Sequence, residues 1–561
     1  MKKRTLVFLA AAIACGTSWA QQPPLVPPDA LLKRLAGDWP TYSGDYTSQR
    51  YSQLAQVTRG NVTQLTLAWT ARMNATVRVP ARAPSPYGPA GDGLVTTVGG
   101  EGKGDIPAGP PSMKGSVLEV DGVLYVTAPD HVWALDARDG RELWHYFWKT
   151  RGGTHIANRG AALWKDSVLF ETPDNYLVSL DARTGVEKWH VEIASLEQQY
   201  FSTPAPVVIG DLVLVGTGND LDAPGFLQAY EAATGKLVWK TYMVPMNPGD
   251  KGLDTWPSLD AARHGGGNVW MPGSYDPETD LYITGTGNPT PAYTGIARQG
   301  DNLFTCSLVA IRVKTGERVW YYQTSPHDTH DWDSAQTPVL FDGTFEGKPR
   351  KLVSTASRNG FFFTLDRVTG ERLVTSKFGT HSNWARGLRK DGAPDADPEK
   401  SATVPGSWVS PHEGGVTNWQ APAFNPQLGL FYVHETNGFN LLYLTDPDPR
   451  GSMGLGGKRF FVTGAVDNAL QAIDYRTGKA TWRHPWPQGS AVGTGLLTTT
   501  TGLLFSGDTV GNFVAMDAAN GDLLWHTRIG NISNAPQTYE AAGKQYVLVG
   551  VGDTLYAFAL Y

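Results

Sequence analysis

The fold is decided by a short phrase that the sequence repeats, and VWALDARDGRELW (residues 132–144) is its first copy. Its alternating apolar residues predict a strand, its Asp and Gly predict a tight turn, and the residues after the turn predict a second strand that ends on Trp. Each copy therefore predicts one β-hairpin. The other copies are LVSLDARTGVEKW (177–189), LQAYEAATGKLVW (227–239), LVAIRVKTGERVW (308–320), FFTLDRVTGERLV (362–374, without the Trp), LQAIDYRTGKATW (470–482) and FVAMDAANGDLLW (513–525).

The spacing of the copies leaves room for one more unit, which we expect around Leu428–Asp446. A unit of four strands that recurs every ~40–55 residues is typical of a β-propeller blade. We therefore predict an all-β fold, an eight-bladed β-propeller with Trp-ended blade repeats, as one catalytic domain over residues 21–561. We expect each Trp to dock on the neighbouring blade and the strand Thr554–Tyr561 to close the ring by pairing with N-terminal strands. A set of β-sandwiches is the alternative.

The composition agrees with many short strands and turns. The 561 residues include 64 Gly, 38 Pro and 61 aromatic side chains, with only 18% charged residues. A coiled coil would need far more Ala, Glu, Lys and Leu, and a disordered chain would lack the aromatic residues. The Gly- and Pro-rich stretch 83–113 and the stretch 388–412 are predicted to be long loops.

The N-terminus has the pattern of a secretory signal. Basic residues at positions 2–4 precede an apolar run from Leu6 to Ala14, and Ser18-Trp19-Ala20 fits a cleavage site. We predict cleavage after Ala20 and a periplasmic protein, with lipidation at Cys15 as the alternative. Removal of residues 1–20 leaves 44 basic and 53 acidic residues, a charge of −9, which argues against nucleic-acid partners. No later run is apolar enough to span a membrane.

The residues that could carry chemistry lie outside the repeat phrase. They are Gly265–Trp270 (GGGNVW), GTGNP (285–289), HDTHDWD (327–333), SRNG (357–360) and NWQ (418–420). Asp and Asn oxygens at this density suit a hard cation such as Ca²⁺ rather than Zn²⁺. A solvated loop with local turn hydrogen bonds is the bland interpretation of the Asp cluster.

With these motifs, the chain resembles the quinoprotein alcohol dehydrogenases of the non-haem type, which use pyrroloquinoline quinone (PQQ) in an eight-bladed propeller. The resemblance begins at Asp38-Trp39-Pro40 and covers almost the whole mature chain. It implies a cofactor that is a flat quinone with three carboxylates, which needs cations at its edge and an aromatic plate on its face. The residues that it implies for PQQ are Arg159, Thr203, Trp270, Arg358, Asn418 and Trp419.

The resemblance also implies one metal ion. Its ligands would be Asp220, Asn288, Asp331 and Asp333, and Asp331 would also be the catalytic base that takes the hydroxyl proton of an alcohol. Asp333 resembles the aspartate of the lanthanide-using branch, which favours a lanthanide over Ca²⁺. Asp220 stands where the family has a glutamate, and Asp222 is the alternative ligand.

The chain departs from the family pattern in two further ways. The adjacent cysteine pair of the family is missing, because Gly153-Thr154 occupy its place, and we expect His155 to cover the cofactor instead. There is no CxxCH haem motif, so the electrons should leave to an external acceptor such as cytochrome c.

Two rival functions remain at this point. The first is a non-catalytic propeller scaffold or assembly protein, since such proteins share the repeat. The second is a propeller hydrolase with Asp331 and Asp333 as paired carboxylates, although residues so close in sequence are difficult to place on opposite sides of a scissile bond.

Overall fold

The computed structural model describes residues 25–26, 30–33, 35–75, 96–106, 111–334, 336–445, 457–487 and 493–561, with the backbone alone over 457–466. The predicted signal peptide and much of the predicted loop 83–113 lie outside these residues. In its described part the loop prediction is wrong at Thr96–Glu101, which form a strand paired in parallel with Glu142–Trp148. No helix in the described part of the chain is long and apolar enough to cross a membrane.

Thirty-seven strands make up the described structure. Two of them come from the N-terminal region, β1 (Tyr51–Ser52) and β2 (Thr66–Arg72). The first complete sheet holds β3 (Thr96–Glu101), β4 (Leu118–Val120), β5 (Val123–Ala128), β6 (His131–Asp136) and β7 (Glu142–Trp148).

The next three sheets have four strands each and follow one another along the chain. The second holds β8 (Ala162–Trp164), β9 (Ser167–Glu171), β10 (Tyr176–Asp181) and β11 (Glu187–Glu192). The third holds β12 (Val207–Ile209), β13 (Leu212–Gly216), β14 (Phe226–Glu231) and β15 (Leu237–Tyr242). The fourth holds β16 (Ser274–Asp276), β17 (Leu281–Gly285), β18 (Ser307–Arg312) and β19 (Arg318–Gln323).

The fifth sheet is followed by a separate hairpin and a sixth sheet. The fifth holds β20 (Val339–Phe345), β21 (Lys348–Ala356), β22 (Phe361–Asp366) and β23 (Arg372–Lys377). The hairpin is β24 (Ala385–Leu388) with β25 (Pro394–Ala396). The sixth holds β26 (Ser407–Val409), β27 (Ala423–Asn425), β28 (Leu430–Leu444), β29 (Gly457–Asp474) and β30 (Lys479–Pro485).

The last two sheets combine C-terminal strands with the two N-terminal ones. The seventh holds β31 (Leu497–Thr499), β32 (Leu503–Gly507), β33 (Asn512–Asp517), β34 (Leu523–Arg528) and β1. The eighth holds β35 (Gln537–Ala541), β36 (Lys544–Val551), β37 (Thr554–Ala559) and β2. Within the described ranges, helical structure is limited to α1 (Leu259–Arg263) and to 3-10 turns at Ala30–Leu32, Val62–Gln64, Leu253–Thr255 and Pro398–Lys400.

The prediction of an all-β propeller is confirmed, and the described residues form eight sheets of at least four strands. The extra unit expected around Leu428–Asp446 is wrong, because Leu430–Leu444 is strand β28 of the sixth sheet, which already contains the copy at 470–482. The eighth sheet is instead the one formed by β35, β36, β37 and β2. Each repeat copy forms the last two strands of its hairpin-connected sheet, as β6 and β7 do in the first. Gly140 shows why the phrase needs glycine in its turn. Its φ is +74°, and its N–H donates to the carbonyl of Asp136 (2.9 Å).

Five of the six repeat Trp residues pack on the turn glycine of the next copy, which agrees with the predicted docking on the neighbouring blade, and the sixth, Trp525, packs on Phe558 of the eighth sheet. A Cβ added to Gly185 would lie 2.6 Å from Trp144, and one added to Gly235 would lie 2.7 Å from Trp189. The same contact joins Trp239 to Gly316, Trp320 to Gly370 and Trp482 to Gly521. The repeat phrase therefore encodes both the hairpin and the packing of one sheet on the next.

The N-terminal region forms hydrogen bonds with several of the sheets. Strand β2 pairs antiparallel with β37 from Thr66 opposite Ala559 to Arg72 opposite Thr554, so the predicted closure by the C-terminal strand is confirmed. The segment before β1 contacts further sheets, because the carbonyls of Tyr46, Thr47 and Gln49 accept hydrogen bonds from Tyr275, Leu340 and Phe424.

The prediction of a plain loop over 388–412 is wrong. This stretch contains β25 and β26 and the end of β24, and β26 pairs with residues 440–442 of β28. The strand pair β28–β29 is longer than those of the other sheets, and this extra length provides the edge that β26 joins.

Candidate functional site

The predicted site residues meet at one cavity. The segments that lead into new sheets and the turns between the second and third strands of the sheets converge there and enclose about 300 Å³. All ten residues that the sequence singles out line it: Arg159, Thr203, Asp220, Trp270, Asn288, Asp331, Asp333, Arg358, Asn418 and Trp419.

One wall of the cavity is a buried arginine between two indoles. The guanidinium of Arg159 lies 4.8 Å from the ring centre of Trp270 and 5.8 Å from that of Trp419. Its Nη1 donates to the carbonyl of Thr203 (3.4 Å), while its buried Nε has no hydrogen-bond partner among the described residues. Burial lowers the pKa of Arg159 to about 10, and the nearby Tyr42 opposes this shift.

Two loops hold Trp270 and Asn288 in place by exchanging backbone hydrogen bonds. Gly267 N donates to Asn288 O (3.0 Å), and Gly287 N donates to Asn268 O (2.8 Å). The side chain of Asn268 donates to Asn219 O (2.9 Å), and its Oδ1 is buried without a partner in the described structure. Asn268 belongs to the same glycine-rich motif as Trp270, so this lining residue was within reach of the sequence analysis.

Opposite charges meet at the other end of the cavity. Arg358 Nη1 donates to Asp333 Oδ2, and Arg358 Nη2 lies 3.7 Å from Asp331 Oδ2. Nη2 also donates to the carbonyl of Glu413 (2.6 Å). Burial alone would lower the pKa of Arg358, but Asp333 and Asp331 outweigh it and raise the pKa. The arginine is therefore a fixed cation at this end.

Asp333 is also fixed by the backbone. Its Oδ1 accepts a hydrogen bond from Asn288 N (2.6 Å), and Gly287 lies so close that an added Cβ would be 3.0 Å from the same oxygen. The side-chain nitrogen of Asn288 donates to Pro289 O (3.0 Å), which leaves its Oδ1 available to a cation. Asp333 and Asn288 are thus held side by side.

The HDTHDWD motif presents Asp331 on a constrained backbone. Asp331 has a φ of +66°, a left-handed conformation that is uncommon for a residue other than glycine. Asp328 stabilises this turn by accepting a hydrogen bond from Trp332 N (3.1 Å), and Trp332 Nε1 donates to His412 O (3.1 Å). The histidine His330 contacts Lys400 O instead of the cavity.

Burial shifts the pKa values of the cavity's aspartate carboxyl groups upward. Burial raises the pKa of Asp331 well above its usual range, against the charge of Arg358 and together with the charge of Asp333. Burial also raises the pKa of Asp333, opposed by Arg358 and by the hydrogen bond from Asn288. Desolvation by the cavity walls and the charge of Asp333 raise the pKa of Asp220 to about 6, although Asp220 is exposed. A cation bound here would reverse these shifts.

In the described structure, no three His, Cys, Asp or Glu side chains form a group that could hold a metal ion by themselves. A cation at this end would therefore need Asn288 and atoms of a bound ligand in addition to the carboxylates. Asp220 lines the cavity, whereas the alternative Asp222 lines a neighbouring groove.

The expectation for His155 is wrong. Its Nε2 is bonded to Asp130 Oδ2 (2.7 Å) and its Nδ1 contacts Gly153 O (3.1 Å), so the ring is held away from the cavity. Ile156 and Ala157 line the cavity in its place. The acidic partner Asp130 is distant in sequence, and the motif gave no sign of this pairing. Lys114, Phe201 and Glu413 also line the cavity without any sequence signal.

Comparison with known proteins gives two family matches. Residues 39–377 match the family described as glucose/ethanol/alcohol dehydrogenase, beta-propeller domain, which uses PQQ. Residues 457–560 match the outer membrane protein assembly factor BamB. The first match contains eight of the ten predicted site residues, and the second contains none of them.

Individual relatives extend over most of the chain. Quinohemoprotein alcohol dehydrogenase ADH-IIG of Pseudomonas putida is 32% identical over 93% of this chain and 74% of its own. Its solved structure covers 96% of this chain and 83% of its own, with a TM-score of 0.82. The 1-butanol dehydrogenase (cytochrome c) of Thauera butanivorans is 30% identical over 98% of this chain and 77% of its own. A europium-containing methanol dehydrogenase is 28% identical, covers 94% of this chain and 99% of its own, and has a TM-score of 0.81.

Proposed function

This chain belongs to the PQQ-dependent alcohol dehydrogenases, and on that premise we propose how its own residues oxidise an alcohol to an aldehyde or ketone. The observation that carries the proposal is the convergence of all ten predicted residues on one cavity. Membership of the family makes the protein an oxidoreductase that uses PQQ and a lanthanide or Ca²⁺ ion.

The residues of the cavity fit PQQ. A flat anion with three carboxylates needs an aromatic surface and available donors. The cavity offers the indoles of Trp270 and Trp419 and the buried Nε of Arg159, which has no partner among the residues that the structure describes. Thr203, Arg358 and Asn418 would complete the set that holds the cofactor. When bound, PQQ supplies the two-electron acceptor that alcohol oxidation requires.

Asp331 is the base in this proposal. As the alcohol carbon loses its hydrogen with two electrons, the Asp331 carboxylate takes the hydroxyl proton, and the C–O bond becomes a carbonyl. Arg358 lies 3.7 Å from the Asp331 carboxylate and favours its ionised form. A metal cation beside Asp331 would lower its pKa further and keep it ready to accept the proton.

Asp220, Asn288, Asp331 and Asp333 are the proposed protein ligands of the metal. The hydrogen bond from Asn288 N to Asp333 (2.6 Å) keeps these two residues together, and Asp220 shares the cavity with them. Three carboxylates suit a trivalent ion better than a divalent one, which favours a lanthanide over Ca²⁺. The likeness to a europium-containing methanol dehydrogenase supports this choice.

We also propose that the enzyme works in the periplasm and passes its electrons to a soluble cytochrome c. The N-terminal sequence supports export, and the name of the Thauera relative, 1-butanol dehydrogenase (cytochrome c), supports the acceptor. The printed sequence contains no CxxCH haem motif, which favours an external acceptor in this proposal.

The alternative of a propeller scaffold is supported by the BamB match alone, which covers residues 457–560 and includes none of the predicted site residues. A scaffold would give no reason for buried carboxylates and arginines around a cavity. The hydrolase alternative is weakened because Asp333 is paired with Arg358 and is not positioned as a free acid or base.

The test is reconstitution. The purified protein is incubated with PQQ and either La³⁺ or Ca²⁺, and dye reduction is followed with a series of primary and secondary alcohols. Alcohol-dependent reduction that requires both PQQ and a metal is the expected result. The proposal would be contradicted if the protein failed to bind PQQ in the presence of either metal and reduced no dye with any of the alcohols.

A further inference from the structure

The charges around the cavity are separated into two ends. Asp220, Asp331, Asp333 and Glu413 interact with one another and with Arg358, so this end carries anions and one cation. The other end carries two cations, Arg159 and Lys114. The Lys114 ammonium has no hydrogen bond or ion pair among the described residues.

The backbone fixes Lys114 beside Arg159. Met113 N donates to Gly552 O (2.9 Å), and Ser116 N donates to Arg159 O (3.0 Å). Gly115, between these two residues, packs directly against the backbone of Arg159, because an added Cβ would lie 2.7 Å from the carbonyl carbon of Arg159. Lys114, which precedes β4 of the first sheet, and Arg159, which precedes β8 of the second sheet, therefore lie next to each other.

Two unneutralised cations in one partly buried wall repel each other and lose hydration. Desolvation, and then the charge of Arg159, lower the pKa of Lys114. Such an arrangement is costly without a counter-charge and becomes favourable when an anion with several charges lies between the two groups. PQQ brings three carboxylates, more than Arg159 alone can pair with.

We propose that Lys114 is a further cofactor-binding residue, whose ammonium pairs with a carboxylate of PQQ next to Arg159. This inference rests on the proposed function, because it takes PQQ to be the ligand of the cavity. It would give the basic end of the cavity a role in orienting the bound cofactor.

The experiment measures binding by the metal-loaded protein without any substrate. PQQ quenches the fluorescence of the tryptophans beside it, and titrations give its dissociation constant for the wild type, Lys114→Gln, Lys114→Arg and the control Lys149→Gln, an exposed lysine outside the cavity. Loss of one charged hydrogen bond should weaken binding about tenfold in Lys114→Gln. Lys114→Arg and Lys149→Gln should bind like the wild type.

The trimethyl ester of PQQ separates a direct contact from a general disturbance. The ester has no carboxylate to pair with, so Lys114→Gln and the wild type should bind it equally. Equal binding of PQQ by Lys114→Gln and Lys149→Gln, or an equal loss for PQQ and the ester, would overturn the role of Lys114. Failure of the wild type itself to bind PQQ would instead overturn the proposed function.

Discussion

Arg358 and Asp333 form a buried ion pair in the wall of the cavity, with Nη1 of the arginine on Oδ2 of the aspartate. The second oxygen of Asp333 accepts the backbone N–H of Asn288 (2.6 Å). A metal ion that binds Asp333 must therefore share it with two existing donors, and the same donors define where the carboxylate can point.

Replacement Asp333→Ala should weaken lanthanide-supported turnover more than Ca²⁺-supported turnover, because a trivalent ion gains more from the extra carboxylate. Loss of the buried ion pair with Arg358 should also cost about 3 kcal/mol of the free energy of unfolding. Metal titrations of dye reduction give the ratio of the apparent La³⁺ and Ca²⁺ affinities, and chemical denaturation gives the stability. An unchanged ratio would remove Asp333 from the proposed ligands.

Replacement Asp331→Asn should lower kcat by about a hundredfold or more, since it removes the proposed general base without changing the size of the side chain. PQQ binding and the thermal unfolding midpoint should stay close to those of the wild type. Asp222→Asn is the matched control, because Asp222 lines the neighbouring groove. Similar turnover in the two variants would contradict the role of Asp331.

The sequence predicted the repeats, the ring closure and the docking of the repeat Trp residues on the neighbouring blade, because each depends on a local phrase whose period is visible. It also predicted the residues of the cavity, but only through motifs that resemble a known family. The contacts of His155 with Asp130 and of Gly115 with Arg159 could not be predicted. They join loops of different sheets, and no periodic pattern records which loop tips meet.

Replacement Gly287→Ala should disturb the metal end of the cavity while the backbone stays relaxed. The added Cβ would lie 3.0 Å from Asp333 Oδ1 and 3.1 Å from Asn268 O, so the carboxylate must move. We expect about a tenfold loss of metal affinity, as when groups that orient a ligand are changed. Gly387→Ala, where an added Cβ meets nothing within 4 Å, is the control. Equal metal affinity in both variants would refute the prediction.

The segment next to the cavity at Gly152–Ala157 should loosen as the pH rises. The hydrogen bond to Asp130 raises the pKa of His155 above its ordinary 6.5, against the effect of burial. Because the folded pKa is the higher one, the stabilisation is complete below pH ~6.5 and is lost as the pH rises through the folded pKa. Hydrogen exchange of these amides, corrected for intrinsic rates, should be faster at pH 8 than at pH 6.

The variant His155→Gln should remove this difference in exchange rate, and the control variant His264→Gln should keep it. A pH difference that survives in His155→Gln would contradict this origin.

Trp270 and Trp189 are both half-buried, but their surroundings differ. Trp270 faces Arg159 across 4.8 Å in the cavity, whereas Trp189 packs on Gly235 of the next repeat, 2.7 Å from an added Cβ. Trp270→Ala should therefore weaken PQQ binding at least tenfold with little loss of stability, since stacking on an indole contributes to ligand affinity. Trp189→Ala should lower the free energy of unfolding by about 3 kcal/mol and leave PQQ affinity unchanged. PQQ titration measures the affinity of both variants, and urea unfolding measures their free energy of unfolding.

If both variants lost stability and affinity alike, the division between structural and cofactor-binding tryptophans would be wrong, because each would then act through the fold as a whole.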